Sequence, residues 1–125
     1  MITAHHATDA EFDQFDFTRL GEYTAVNATD ETAVRMARLG AWFASRSLKD
    51  DMVTEHDLTC DLDIANPYAT TFDALWDMLS EQDADSLRAD LEADGYDGIA
   101  LRDTEFDCTS YVAFDAAQIT IVSRD

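Results

Sequence analysis

The last third of the chain carries the pattern that leaves the fewest folds open. Gly95-Tyr96-Asp97-Gly98-Ile99-Ala100-Leu101-Arg102-Asp103 is followed by Ser110-Tyr111-Val112-Ala113-Phe114-Asp115-Ala116-Ala117-Gln118-Ile119. Runs of aliphatic and aromatic residues bounded by glycine and aspartate read as strands lying beside each other. They predict strands over 98–102, 110–115 and 118–123, the last two joined by a tight turn at Asp115–Ala117. Upstream, Leu58, Cys60, Leu62 and Ile64 alternate with Thr59, Asp61 and Asp63, the period of a half-buried strand. Asn66-Pro67 is expected to end it, because proline cannot continue the ladder.

Helical periods fill the space between. Phe72, Leu75, Trp76 and Leu79 fall on one helical face, and Asp83 or Asp85 can cap a second helix that buries Leu87 and Leu91 and stops at Gly95. Thr29 or Asp30 can cap a short helix over 31–39, with Glu31 in its first turn and Gly40 as its stop. Residues 2–8 read as a first strand carrying His5 and His6, and 41–45 as another short strand, with a polar loop at 46–56. The Phe12, Phe15 and Phe17 spacing suggests an extended segment burying one aromatic face. The expected fold is therefore α+β, with mixed or antiparallel sheets and a few short helices, in one domain over 1–125. A chain of 125 residues, 46% hydrophobic, supports one core and is too short for two.

Charge narrows the partners. With 27 acidic and 8 basic residues the formal net charge is −19, and Lys49 is the one lysine. Backbone phosphates must be neutralised by cations that this chain lacks in number, so nucleic acid is excluded as a direct ligand. The acids fit a solvated surface of the kind seen in salty cytoplasm, or a surface that imitates a phosphate backbone and occupies a partner's basic groove. No apolar run approaches the roughly 18 residues of a membrane span, and the N-terminus lacks the pattern of a signal peptide, so the expectation is a cytoplasmic protein with no membrane partner. Cys60 and Cys108 read as ordinary thiols. Adjacent His5 and His6 point to opposite strand faces, and Asp61-x-Asp63 reads as two solvent-facing residues, so no metal site is expected. The sequence has no GxGxxG, P-loop or Gly-x-Ser-x-Gly motif, and only 4 glycines with which to build a phosphate cradle.

Several segments taken together resemble the small ADP-ribosyltransferases of phage polyvalent proteins and phage head-associated toxins. They are Thr3-Ala4-His5-His6-Ala7-Thr8-Asp9, Gly40-Ala41-Trp42-Phe43-Ala44-Ser45, Asn66-Pro67-Tyr68, and the Gly95-to-Arg102 and Ser110-to-Ile119 runs. The resemblance spans His6 to Ile119. It implies the ADP-ribosyltransferase fold and NAD as cofactor. It also implies mono-ADP-ribosylation of a host defence or nucleic-acid-handling protein in the host cytoplasm, one branch of the family inactivating a DNA-reading CRISPR effector subunit as an anti-CRISPR.

It also assigns candidates. His6, with Thr8 nearby, stands where the family's first-strand histidine binds a ribose; Trp42 and Phe43 stand in the aromatic strand that faces nicotinamide, with Ser45 close to a hydroxyl position. The catalytic slot, commonly Glu or Gln, holds Ser110, and Glu105 or Asp107 on the preceding loop could replace the missing carboxylate, since loss of nicotinamide develops positive charge at the ribosyl carbon. If that acid is lost, the same fold is a catalytically inactive, acidic binding inhibitor, a DNA mimic that blocks a basic DNA-binding groove.

Overall fold

A computed structural model of the chain describes residues 2–8, 31–46, 56–103 and 108–124. Strand β1 (Ile2–Thr8) is followed by helix α1 (Glu31–Arg38), β2 (Ala41–Ala44), β3 (His56–Leu62) and β4 (Pro67–Thr71). Helices α2 (Phe72–Glu81) and α3 (Ala84–Ala93) come next, then β5 (Gly98–Asp103), β6 (Cys108–Ala113), a 3-10 turn (Ala116–Gln118) and β7 (Ile119–Arg124). The fold is α+β, as the sequence predicts. The Phe12, Phe15 and Phe17 segment and the Thr29 and Asp30 caps lie outside the described residues.

Five boundaries differ from expectation. Pro67 opens β4 rather than closing off the sheet, which satisfies proline because β4 is the first strand of its sheet and pairs on one side only, with β5. β5 runs on to Asp103, β6 occupies 108–113 instead of 110–115, and β3 already begins at His56 within the expected polar loop. Gln118 belongs to the 3-10 turn, not to β7.

The strands form one sheet in the order β4-β5-β6-β2-β1-β3-β7, in which β4 and β5 are parallel and every other pair antiparallel. This order cannot be flat. β3 and β4 stand five strand spacings apart, about 24 Å in a planar sheet, yet the chain from Leu62 to Pro67 reaches at most about 17 Å when extended. The sheet therefore curls until the C-terminal end of β3 meets the N-terminal end of β5. Gln118 clasps that closure: its Nε2 donates to the carbonyls of Asp63 at 3.2 Å and Asp97 at 2.7 Å, and its Oε1 accepts from the N–H groups of Phe114 and Asp115, both at 2.9 Å. Gly98 is required here, since a Cβ would lie 2.9 Å from both the Ile64 side chain and the Val112 carbonyl oxygen.

Curling divides the core in two. On the concave face Ala4, Phe43, Leu58, Cys60, Leu62 and Ile64 pack together, while the convex face is covered by the helices, which bury Met36, Leu75, Leu79, Leu87 and Leu91 against Ile99, Leu101 and Val112. Each fully buried leucine contributes about 1.5–3 kcal/mol. Thr71 caps α2 by accepting from the Ala74 N–H at 3.2 Å, and Asp83 caps α3 by accepting from the Ser86 N–H at 2.7 Å. Two of the scarce cations tie the helices together through carbonyls near helix C-terminal ends, where the dipole favours positive charge. Arg35 donates to the Leu79 carbonyl at 2.8 Å, and Arg88 to the Leu39 carbonyl at 2.8 Å.

Candidate functional site

Pairing within the sheet is weakest between β1 and β2. β1 pairs with β3 along its whole length, Ile2↔Leu62 through Thr8↔His56, but with β2 at His5↔Ala44 alone. Beyond that point the two strands share no further ladder pair, and the His6 ring bridges them instead through the Trp42 carbonyl.

Side-chain parity then sorts the candidates. His6 is on the concave face with Phe43, their rings 5.6 Å apart and tilted by 54°. The His6 Nδ1–H donates to the Trp42 carbonyl at 2.7 Å, which fixes the tautomer and leaves Nε2 as the acceptor nitrogen in the neutral ring. Burial lowers the pKa of His6 from 6.5, against the opposing pull of the Trp42 carbonyl and the Asp57 charge. Ser45 continues the β2–β6 ladder: its N–H donates to the Thr109 carbonyl at 2.8 Å and its Oγ accepts from the Thr109 N–H at 3.0 Å. By the alternation of β2, Ser45 lies on the same side as Phe43. His6 and Phe43 thus meet on the concave face, where Phe43 is 3% exposed, and Ser45 stands on the same side two residues further along the chain.

Other candidates are placed elsewhere. Trp42 faces the helices and donates its indole N–H to the Met36 carbonyl at 2.8 Å, so the indole is on the opposite side of the sheet from His6. Ser110 pairs with Ala44 and Leu101 and is buried on that same convex side, so it does not share a face with His6. Thr8 is the last residue of β1; its side chain lies outside the described residues, as do Glu105 and Asp107.

One arrangement escaped the sequence reading. His5, on the convex face, bonds through Nδ1 to Asp57 Oδ2 at 3.0 Å. Asp57 is only 4% exposed, and its Oδ1 is a buried polar atom without a hydrogen-bond partner. Cys60, fully buried on the concave face, has its thiol pKa pushed up to about 11 by burial, with the Asp57 and Asp61 charges adding to the shift. The Asp61-x-Asp63 pair separates: Asp61 accepts from the Thr3 hydroxyl at 3.0 Å, while Asp63 is exposed. Among the described residues no group of three His, Cys, Asp or Glu is placed to hold a metal ion, and no helix is long and apolar enough to cross a membrane.

Comparison with protein-family models, with curated proteins and with solved structures finds no match to this chain.

Proposed function

We propose that the chain is an ADP-ribosyltransferase-like protein that binds NAD on the concave face of the curled sheet beside His6 and modifies a host protein in the cytoplasm, in the manner of an anti-CRISPR. The observation that carries this reading is the contact between the His6 and Phe43 rings on the concave face, beside the single point at which β1 pairs with β2. The Phe43 ring is the aromatic wall, in place of Trp42, and His6 Nε2 is the acceptor for a ribose hydroxyl.

With Ser110 on the opposite face, a carboxylate for the developing ribosyl cation has to come from Glu105 or Asp107. The test is incubation of the protein with NAD and host lysate, read by mass spectrometry for ADP-ribose adducts, alongside calorimetric titration of wild type and His6→Ala with NAD. Adducts, or NAD binding lost in His6→Ala, support the reading; no adduct together with no binding removes it.

A second reading rests on the α2–α3 hairpin. Asp73, Asp77, Glu81, Asp83, Asp85, Asp90, Glu92 and Asp94 are all exposed on it, and its one cation, Arg88, is engaged by Asp85 and the Leu39 carbonyl. Such a face suits a basic groove on a DNA-binding partner, independent of NAD. Its mark is steep loss of partner affinity with salt. An affinity flat between 0.1 and 1 M salt, on the order of one Debye-length regime to the next, overturns it.

A further inference from the structure

Side-chain parity divides the charge of the sheet unevenly. Every second residue of each strand, taken from the buried concave members Ala4, Phe43, Leu58 and Ala113 and carried across the ladder pairs, faces inward. No aspartate or glutamate of the described strands occupies one of these positions. The strand acids Asp57, Asp61 and Asp103 all take convex positions instead. In a chain with 27 acidic residues and a formal charge of −19, the concave face is thus the surface of the sheet where an anion meets no strand carboxylate.

The charges placed on that face are positive: Arg102 near the end of β5, and Arg124 at the position paired with Leu58. Arg102 is exposed, and its guanidinium has no ion-pair or hydrogen-bond partner among the described residues, whereas Arg35 and Arg88 are engaged by Glu31 and Asp85. Its cross-strand neighbours are hydroxyl residues, Thr71 on β4 and Thr109 on β6, with Ser45 next beyond Thr109. Adjacent members of this row are about 5 Å apart, one strand spacing. Ser45 Oγ accepts from the Thr109 N–H at 3.0 Å, which fixes the oxygen and leaves the hydroxyl proton to be donated. Ser45 is also two residues from Phe43, about 7 Å along the strand direction, so the row adjoins the His6–Phe43 contact.

We infer that Arg102, with Thr109 and Ser45, forms a phosphate site, which on the NAD reading above, on which this role rests, holds the diphosphate of the dinucleotide. A guanidinium presents N–H donors in a planar fork that matches phosphate oxygens, and the two hydroxyls add donors on one side of it. With no carboxylate beside it on the face, Arg102 stays unneutralised until a ligand brings the anion. A phosphate approaching the acidic α2–α3 surface meets repulsion instead, so charge alone directs it to the concave face.

The experiment is calorimetric titration of the intact chain with NAD and, separately, with inorganic pyrophosphate, comparing wild type with Arg102→Gln, Arg102→Lys and Arg38→Gln at unchanged circular dichroism. Arg38→Gln removes the same charge from the exposed end of α1 and controls for the change in net charge. Arg102→Gln is expected to weaken both ligands about tenfold or more, Arg102→Lys to fall between it and wild type because it keeps the charge without the fork, and Arg38→Gln to match wild type. NAD affinity unchanged in Arg102→Gln overturns the inference and leaves the NAD reading standing. Pyrophosphate binding that is lost in Arg102→Gln, in a protein that does not bind NAD, supports the phosphate site and removes the NAD reading. Equal losses in Arg102→Gln and Arg38→Gln, or binding of neither ligand to wild type, overturn the phosphate site.

Discussion

Removing the Gln118 side chain is the perturbation that the curled sheet makes most informative. Its amide makes four hydrogen bonds that join the end of β3, the start of β5 and the end of β6. The bonds to the Phe114 N–H and the Asp97 carbonyl are partly buried, and water replaces them poorly in Gln118→Ala. At about 1–1.5 kcal/mol for each of those and roughly 0.5 kcal/mol for each of the two exposed ones, the loss is about 3 kcal/mol. For a domain of this size that is a fall in melting temperature on the order of 10 °C. Gln118→Glu separates the donor from the acceptor: it keeps an oxygen for the two N–H groups but sets a carboxylate oxygen against two carbonyls. It is expected to be at least as unstable as Gln118→Ala at pH 7 and to recover as acid protonates it. Urea denaturation followed by circular dichroism measures both variants. A loss under about 1 kcal/mol in Gln118→Ala, or a Gln118→Glu variant as stable as wild type, refutes the clasp.

Other expectations follow from the same packing. Gly98→Ala places a methyl group against the Val112 carbonyl and Ile64, and should cost about 2–3 kcal/mol in the same assay. Because the folded-state pKa of His6 lies below the ordinary 6.5, its contribution to stability is fully present above that value and declines as pH falls through 6.5 toward the folded pKa. Wild type should therefore lose more stability than His6→Asn in that window, measured as the difference in melting temperature between the two proteins. Cys60, with its thiol raised to about 11 and fully buried, should resist alkylation by iodoacetamide at pH 8 until denaturant unfolds the chain.

Much of the frame was legible because it rests on local periods. Alternation at 58–64 marks β3, the Leu75, Leu79, Leu87 and Leu91 spacing marks the helical pair, and Asp83 marks its own cap. β4 was not legible: a proline followed by Tyr68-Ala69-Thr70-Thr71 satisfies both the end of one strand and the start of an edge strand, and the parallel partner that decides between them lies beyond two helices. The curl is equally hidden, since strand order emerges only from long-range pairing. At the site, alternation guaranteed that Trp42 and Phe43 face opposite sides without saying which side His6 takes. Register supplies that answer, and it also turns Ser110 away by pairing it with Ala44 rather than Phe43. The His5–Asp57 pair joins residues 52 apart, and nothing in the period of β3 singles out Asp57, which has the parity of its half-buried neighbours Thr59 and Asp61, as a buried acid.

The central claim is that the face shared by His6, Phe43 and Ser45 receives NAD. Titrating isotope-labelled protein with NAD and following 1H–15N and 1H–13C spectra tests it residue by residue. The account predicts saturable shifts that include the His6 ring, the Phe43 ring and the Ser45 amide, and that vanish in His6→Ala. Spectra unchanged at millimolar NAD, or shifts confined to the helical face around Trp42, would contradict it.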